Sequence, residues 1–188
     1  MKMISLRRII ARFRERLSYD FSSTQCNMPP NLSNEIYQWG KDNITDDEIA
    51  PTEKRQPLDD IHVTLKYGIH TIDFTAARDL IQTIGPIDIE LGPITKFNSN
   101  PEFDVIKIDV ESADLHRLNK ILSDSMKVTD TYPVYQPHIT IAYVKKGTCG
   151  HLVGREDFSK RKVTLDGVTF SGKDNRKTFM PLMPLRLR

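Results

Sequence analysis

Two short segments share a form suited to acid–base chemistry. His62-Val63-Thr64 and His138-Ile139-Thr140 each read histidine, β-branched apolar residue, threonine, then a further apolar residue, Leu65 or Ile141. Each is followed by a tyrosine three positions past the threonine, Tyr67 and Tyr143. Imidazole titrates near neutral pH, so a pair of histidines can take one proton and deliver another. One would deprotonate an attacking hydroxyl or water, and the other would protonate the leaving oxygen. The threonine hydroxyls can donate hydrogen bonds to non-bridging phosphate oxygens as charge grows in the transition state. The scheme calls for no metal, and the nearby Asp59 and Asp60 do not resemble a metal cage. His62, Thr64, His138 and Thr140 are therefore the catalytic candidates, and no cofactor is expected.

Such chemistry needs strands beneath it. Side chains alternate faces along a strand, so His62 and Thr64 point one way while Val63 and Leu65 enter the apolar layer. At roughly 3.3 Å per residue, imidazole and hydroxyl stand about 7 Å apart. Strict alternation adds Lys66 and Ala142 to the histidine face, which makes Lys66 a candidate phosphate contact. Tyr67 and Tyr143 are candidates to stack on a substrate base, yet the same alternation turns them toward the core. Lys145 and Lys146 offer a modest attraction for an anionic ligand. His70, His116 and His151 lack this setting and read as surface residues. Trp39 reads as a core residue of an amphipathic helix.

The flanking pattern alternates strands and helices. Residues 19–28 look extended and stop at Pro29-Pro30. A helix is expected over 31–41, and a short one near TDDEIA. Residues 61–67 (IHVTLKY) form a strand by alternation and β-branching. A helix over 74–84 follows, then a strand over 87–95 kinked at Gly92-Pro93. A strand over 103–110, a helix over 113–126, and strands over 137–144 and 162–170 complete the pattern. The tail is basic and punctuated by proline.

The chain has 188 residues and a net charge of +2, which does not suggest a nucleic-acid coat protein or an acidic disordered chain. No apolar run approaches the ~20 residues that span a bilayer, and a cytoplasmic protein is expected. Cys26 and Cys149 form no metal-binding pattern and read as buried or idle thiols. The first 18 residues stand apart as a basic amphipathic helix. Lys2, Arg7, Arg8, Arg12, Arg14 and Arg16 accompany an apolar stripe of Leu6, Ile9, Ile10, Phe13 and Leu17. Residues 2–17 could meet an anionic surface, a nucleic acid or a partner chain, could serve as a transit peptide, or could pack on their own domain.

The pair IHVTLKYG and PHITIAYV resembles the signature of the 2H phosphoesterase superfamily, over roughly residues 19–170. The resemblance implies an α+β, bilobal fold for residues 19–188, with two antiparallel sheets forming a cleft and helices packed outside. It puts His62, Thr64, His138 and Thr140 on the catalytic positions. It also implies substrates among 2′,3′-cyclic phosphates and short or cyclic oligonucleotides. TQCNMPP and YQPHITIAY are similar to the phage anti-CBASS branch, whose members destroy cyclic oligonucleotide alarm signals in the host cytoplasm. That branch carries a functional glutamate before a Pro-Leu pair. Here KTFMPL has none, which leaves Asp174 as an alternative acid or the specificity different. Three readings follow: a nucleotide phosphodiesterase (on cyclic oligonucleotides, or on 2′,3′-cyclic phosphates in RNA processing), a non-catalytic cyclic-nucleotide sponge, and a structural module anchored by its basic helix.

Overall fold

A computed structural model describes residues 20–182 other than 52, 131 and 133. The proposed basic helix, and its boundary after residue 18, lie outside the described residues. The order is β1 (Ser22–Asn27), α1 (Pro30–Asn43), β2 (His62–Ile69), α2 (Thr75–Ile81), β3 (Ile87–Phe97) and β4 (Phe103–Glu111). Then come α3 (Ala113–Ser125), β5 (His138–Lys145), β6 (Lys162–Leu165), β7 (Gly167–Ser171) and β8 (Lys177–Pro181). Proline supplies the first turn of α1, where its missing N–H costs nothing. Ser112 caps α3 by accepting from the Leu115 amide. The TDDEIA helix is a single 3₁₀ turn, Asp46–Glu48, closed by a Thr45/Glu48 capping box.

The strands run in the order β6-β3-β4-β5-β2-β1-β7-β8, antiparallel throughout. Two lobes of four strands are evident, β2-β1-β7-β8 and β5-β4-β3-β6. The expectation of two separate sheets is corrected here: the lobes join into one sheet through a single pairing, Val63 opposite Ile139. The strand expected over 162–170 is in fact two. β6 pairs with β3 in the second lobe, and β7 pairs with β1 in the first. Strand β8 was hidden in the basic tail, where alternation is short and only Met180 is deeply buried.

One face of the sheet is apolar and covered by helices. Val63, Leu65, Ile139 and Ile141 are all at most 3% exposed. α1 lies against β5, and a Cβ on Gly40 would come within 2.9 Å of Ile141 Cγ2, so glycine sets that close approach. α3 packs on β2. Trp39 joins the core edge-on to Phe158. Cys26 and Cys149 are free and buried, and burial pushes the Cys26 thiol up to about 12. Among the described residues no helix is long and apolar enough to cross a membrane.

Candidate active site

The Val63–Ile139 pairing fixes how the two motifs meet. In antiparallel register it sets His62 across from Thr140, and Thr64 across from His138. Each imidazole thus faces the other strand's hydroxyl, and the two histidines occupy opposite corners of a four-cornered cradle. All four side chains are partly buried on the face that the helices leave uncovered.

Each ring is held in the same way. His62 Nδ1 lies 2.6 Å from the carbonyl oxygen of Asp60, and His138 Nδ1 lies 2.7 Å from that of Gln136. A carbonyl only accepts, so Nδ1 carries the proton and Nε2 is the free, basic nitrogen of each neutral ring. In both cases the carbonyl belongs to the residue two positions earlier.

Both motif strands then bulge immediately after the threonine. On β2, Thr64 faces Gln25 and Lys66 faces Thr24, so Leu65 is an extra residue. On β5, Thr140 faces Lys107 and Ala142 faces Ile106, so Ile141 is extra. A bulge leaves a backbone group unpaired and re-aims the side chains beyond it. Here the Leu65 carbonyl accepts from Asn119 Nδ2 at 2.7 Å, and the Ile141 carbonyl accepts from the Gln56 amide at 2.9 Å. Tyr135 Oη further donates to the Thr64 carbonyl at 2.9 Å.

The bulges correct the alternation argument. Lys66 leaves the histidine face, is 5% exposed, and pairs through Nζ with Asp130. Tyr143 turns onto the histidine face, where burial and then the Glu53 carboxylate raise its phenol pKa and a hydrogen bond with Thr140 offsets part of the rise. Its ring meets Phe103 edge-on at 5.5 Å. Tyr67 also turns outward, but it stands at the far end of β2, 42% exposed and edge-on to Phe21. Lys146 is engaged by Asp104 and by the Asn100 carbonyl, so it anchors a loop. Asp174 pairs with Arg176 in the β7–β8 turn, and the residue before Pro181 is the buried Met180.

Several residues of this face escaped the sequence reading. Lys107 is the register partner of Thr140 and is 4% exposed. Its Nζ donates to Thr95 Oγ1 at 2.7 Å and to Asp109, and sits 4.3 Å from the Phe97 ring centre. An ammonium has three donors, so one remains. Phe97 in turn stands edge-on to His138 at 4.8 Å. In the first lobe, Gln25 and Asn27 face Thr64 and His62. Asp60 reaches over them: its Oδ1 accepts from Gln25 Nε2 at 3.0 Å and Lys177 Nζ at 2.9 Å, and lies 3.6 Å from His62 Nδ1. The signal was available in polar residues alternating with Ile106 and Ile108 on β4, and with Cys26 on β1.

Burial lowers both histidine pKa values. The opposing influences differ. At His62, the Asp60 carboxylate and carbonyl push back up, against a smaller downward pull from Lys177. At His138, the Gln136 carbonyl pushes up, Lys107 and His62 pull further down, and Asp109 offsets little. Burial aside, the neighbouring groups favour a proton at His62 and a lone pair at His138.

A family profile described as the 2′-5′ RNA ligase superfamily matches residues 29–172. Crystal structures of similar fold include a phosphoesterase, with a TM-score of 0.62 and 12% identity over 87% of this chain and 96% of that one. A Thermus thermophilus protein follows at TM-score 0.61 and 14% identity, over 88% and 98%. Escherichia coli LigT complexed with 3′-AMP also matches at TM-score 0.61 and 14% identity, over 87% and 95%. No curated protein matches the chain.

Proposed function

From the chain's membership of the 2′-5′ RNA ligase superfamily, the 2H phosphoesterases, we propose that it hydrolyses small nucleotide phosphodiesters by two-histidine acid–base catalysis. The observation that carries this reading is the diagonal placement of two imidazoles, each with Nδ1 tied to a carbonyl and Nε2 left free. Neutral His138 Nε2 takes the proton of the attacking water or hydroxyl as its oxygen bonds to phosphorus. Protonated His62 Nε2 gives its proton to the leaving oxygen as that P–O bond breaks. Thr64 and Thr140 donate to the non-bridging oxygens, and the remaining Lys107 donor supplies positive charge beside Thr140.

The substrates we propose are cyclic oligonucleotide messengers of antiviral immunity, of the kind that phage anti-CBASS nucleases destroy. 2′,3′-cyclic phosphates, as in RNA processing, form the second class. LigT, complexed with 3′-AMP in one structure and with phosphate in another, supports a site of nucleotide size. The test is a panel of both classes with products identified by mass. His62→Ala is expected to abolish turnover, and chelators are expected to leave it intact. Full activity in His62→Ala would sink the mechanism. Recovery of unchanged ligand after denaturation of the wild-type protein would instead mark a sponge.

A further inference from the structure

An exposed aromatic ring stands beside the catalytic cradle on a platform built for it. Phe179 on edge strand β8 is 59% exposed. Its register partner is Thr169, but its ring leans over Gly167, where an added Cβ would come within 2.1 Å of ring carbons. Only a glycine leaves the ring this resting place. Gln25 faces Thr169 across β1 and β7, and extending that register by two places brings Gly167 level with Asn27. Asn27 is itself the partner of His62. The ring therefore stands in the histidine's own row, two strand spacings away, or about 10 Å.

Against the ring lies a cavity of about 200 Å³, lined by Phe179, Gly167, Asp166, Met28, Pro30 and Asn27, the last being the residue that faces His62. Pockets that take whole drug-sized ligands run to roughly 300–1,000 Å³, so this one suits a single flat ring system. Its lining is mixed: Met28, Pro30 and Phe179 are apolar, Asn27, Thr164 and Asp166 are polar, and the Thr164 hydroxyl is taken by Asp88. Asn27 Oδ1 is used by Gln25 Nε2 at 3.0 Å, which leaves the Asn27 amide as a donor. Asp166 is exposed and contributes a carboxylate acceptor. A stacking surface with one donor and one acceptor matches the edge of a nucleobase.

We infer that this cavity is a nucleobase subsite, with Phe179 as its stacking platform, for the nucleoside whose ester oxygen His62 protonates. The inference rests on the phosphodiesterase reading and sharpens it. The ligand is recognised as a nucleotide, through base as well as phosphate, and an ester lacking a base binds less well.

Calorimetric titration with a nucleoside 3′-monophosphate and, separately, with inorganic phosphate tests this without requiring turnover. Phe179→Leu keeps an apolar cover over Gly167 but removes the π-face. It is expected to weaken nucleotide binding roughly ten-fold, within the range of one lost stacking contact, and to leave phosphate binding unchanged. Phe179→Trp should restore the nucleotide affinity. The melting temperature of each variant reports on folding, and Phe179→Tyr supplies a second conservative ring should Phe179→Trp not fold. Equal weakening for both ligands, or no change for either, overturns the subsite. Wild-type protein that binds nucleotide through Phe179 yet cleaves nothing overturns the phosphodiesterase reading and leaves the subsite standing.

Discussion

The two lobes are built to one plan and charged differently. Each presents a His-x-Thr strand, β2 or β5, that bulges after the threonine. Each lays a second strand beside it, β1 or β4, whose side chains face the motif in register. Beyond these lies a third strand with a threonine in the same row, Thr169 on β7 or Thr95 on β3. The equivalent positions differ in kind. The first lobe has Gln25 and Asn27, and the second has Lys107 and Asp109. The carboxylate of the first lobe comes from a loop instead, as Asp60 beside His62 Nδ1. The backbone alone would make the two histidines interchangeable. Fixed charge differs between them: Asp60 pushes the His62 pKa up more than Lys177 pulls it down, and Lys107 pulls the His138 pKa down more than Asp109 pushes it up, the asymmetry on which the proposed division of roles rests.

Removing either imidazole is the largest perturbation. His62→Ala and His138→Ala should each lower kcat/KM by about 10²–10⁴-fold. Their pH profiles should differ. His138→Ala should lose the rising limb, which reports the base, and His62→Ala the falling limb, which reports the acid. Identical residual profiles would break the division of labour while leaving the site intact.

Lys107→Met should come next. A hydrogen bond to a charged group is worth about 1.5–3 kcal/mol, so the loss of one transition-state contact predicts roughly a 10- to 150-fold fall in kcat/KM. The sign of the accompanying pH effect follows from the charge. Lys107 pulls the His138 pKa down, so its removal lets that pKa rise, and the rising limb moves to higher pH. Gln25→Met, the equivalent change in the first lobe, should leave that limb in place. Lys107→Arg should restore part of the rate.

Asp60→Asn should have a smaller effect, of several-fold near neutral pH. The carboxylate pushes the His62 pKa upward, so its loss lets that pKa fall and moves the falling limb to lower pH. The rising limb should not move. A shift of both limbs together would mean that the histidines titrate as one coupled pair.

What the sequence made readable was whatever depends on period alone. Val63, Leu65, Ile139 and Ile141 lie on the buried face because alternation places them there. That pattern also gave the two motif strands, whereas the α+β class came from the family resemblance. Alternation stops being a guide where a strand gains a residue. Nothing in IHVTLKY or PHITIAYV announces that Leu65 and Ile141 are extra, because a bulge depends on the partner strand and on the distant Asn119 and Gln56 that satisfy its carbonyls. Lys66 and Tyr143 were misplaced for that reason. Lys107 was hidden differently: its strand reads as ordinary alternation, and only register shows that its partner is Thr140. The split of 162–170 into β6 and β7 likewise depends on which lobe each half joins.

The tyrosines give the finest test of the comparison, because Tyr67 and Tyr143 hold the same place in their motifs, five residues past the histidine. Their surroundings differ. Tyr143 stands at the cradle, its phenol pKa raised by burial and by Glu53 and partly offset by a hydrogen bond with Thr140. Tyr67 leans on Phe21 and feels Asp20. A single net hydrogen bond is worth about 0.5–1.5 kcal/mol. Tyr143→Phe should therefore lower kcat/KM by roughly 2- to 12-fold, whereas Tyr67→Phe should leave it unchanged. Both substitutions keep the ring, and thus the contacts with Phe103 and Phe21, so a difference between them reads the hydroxyl alone. Equal effects would mean that motif position outweighs surroundings, and that the bulges present the two tyrosines to substrate alike.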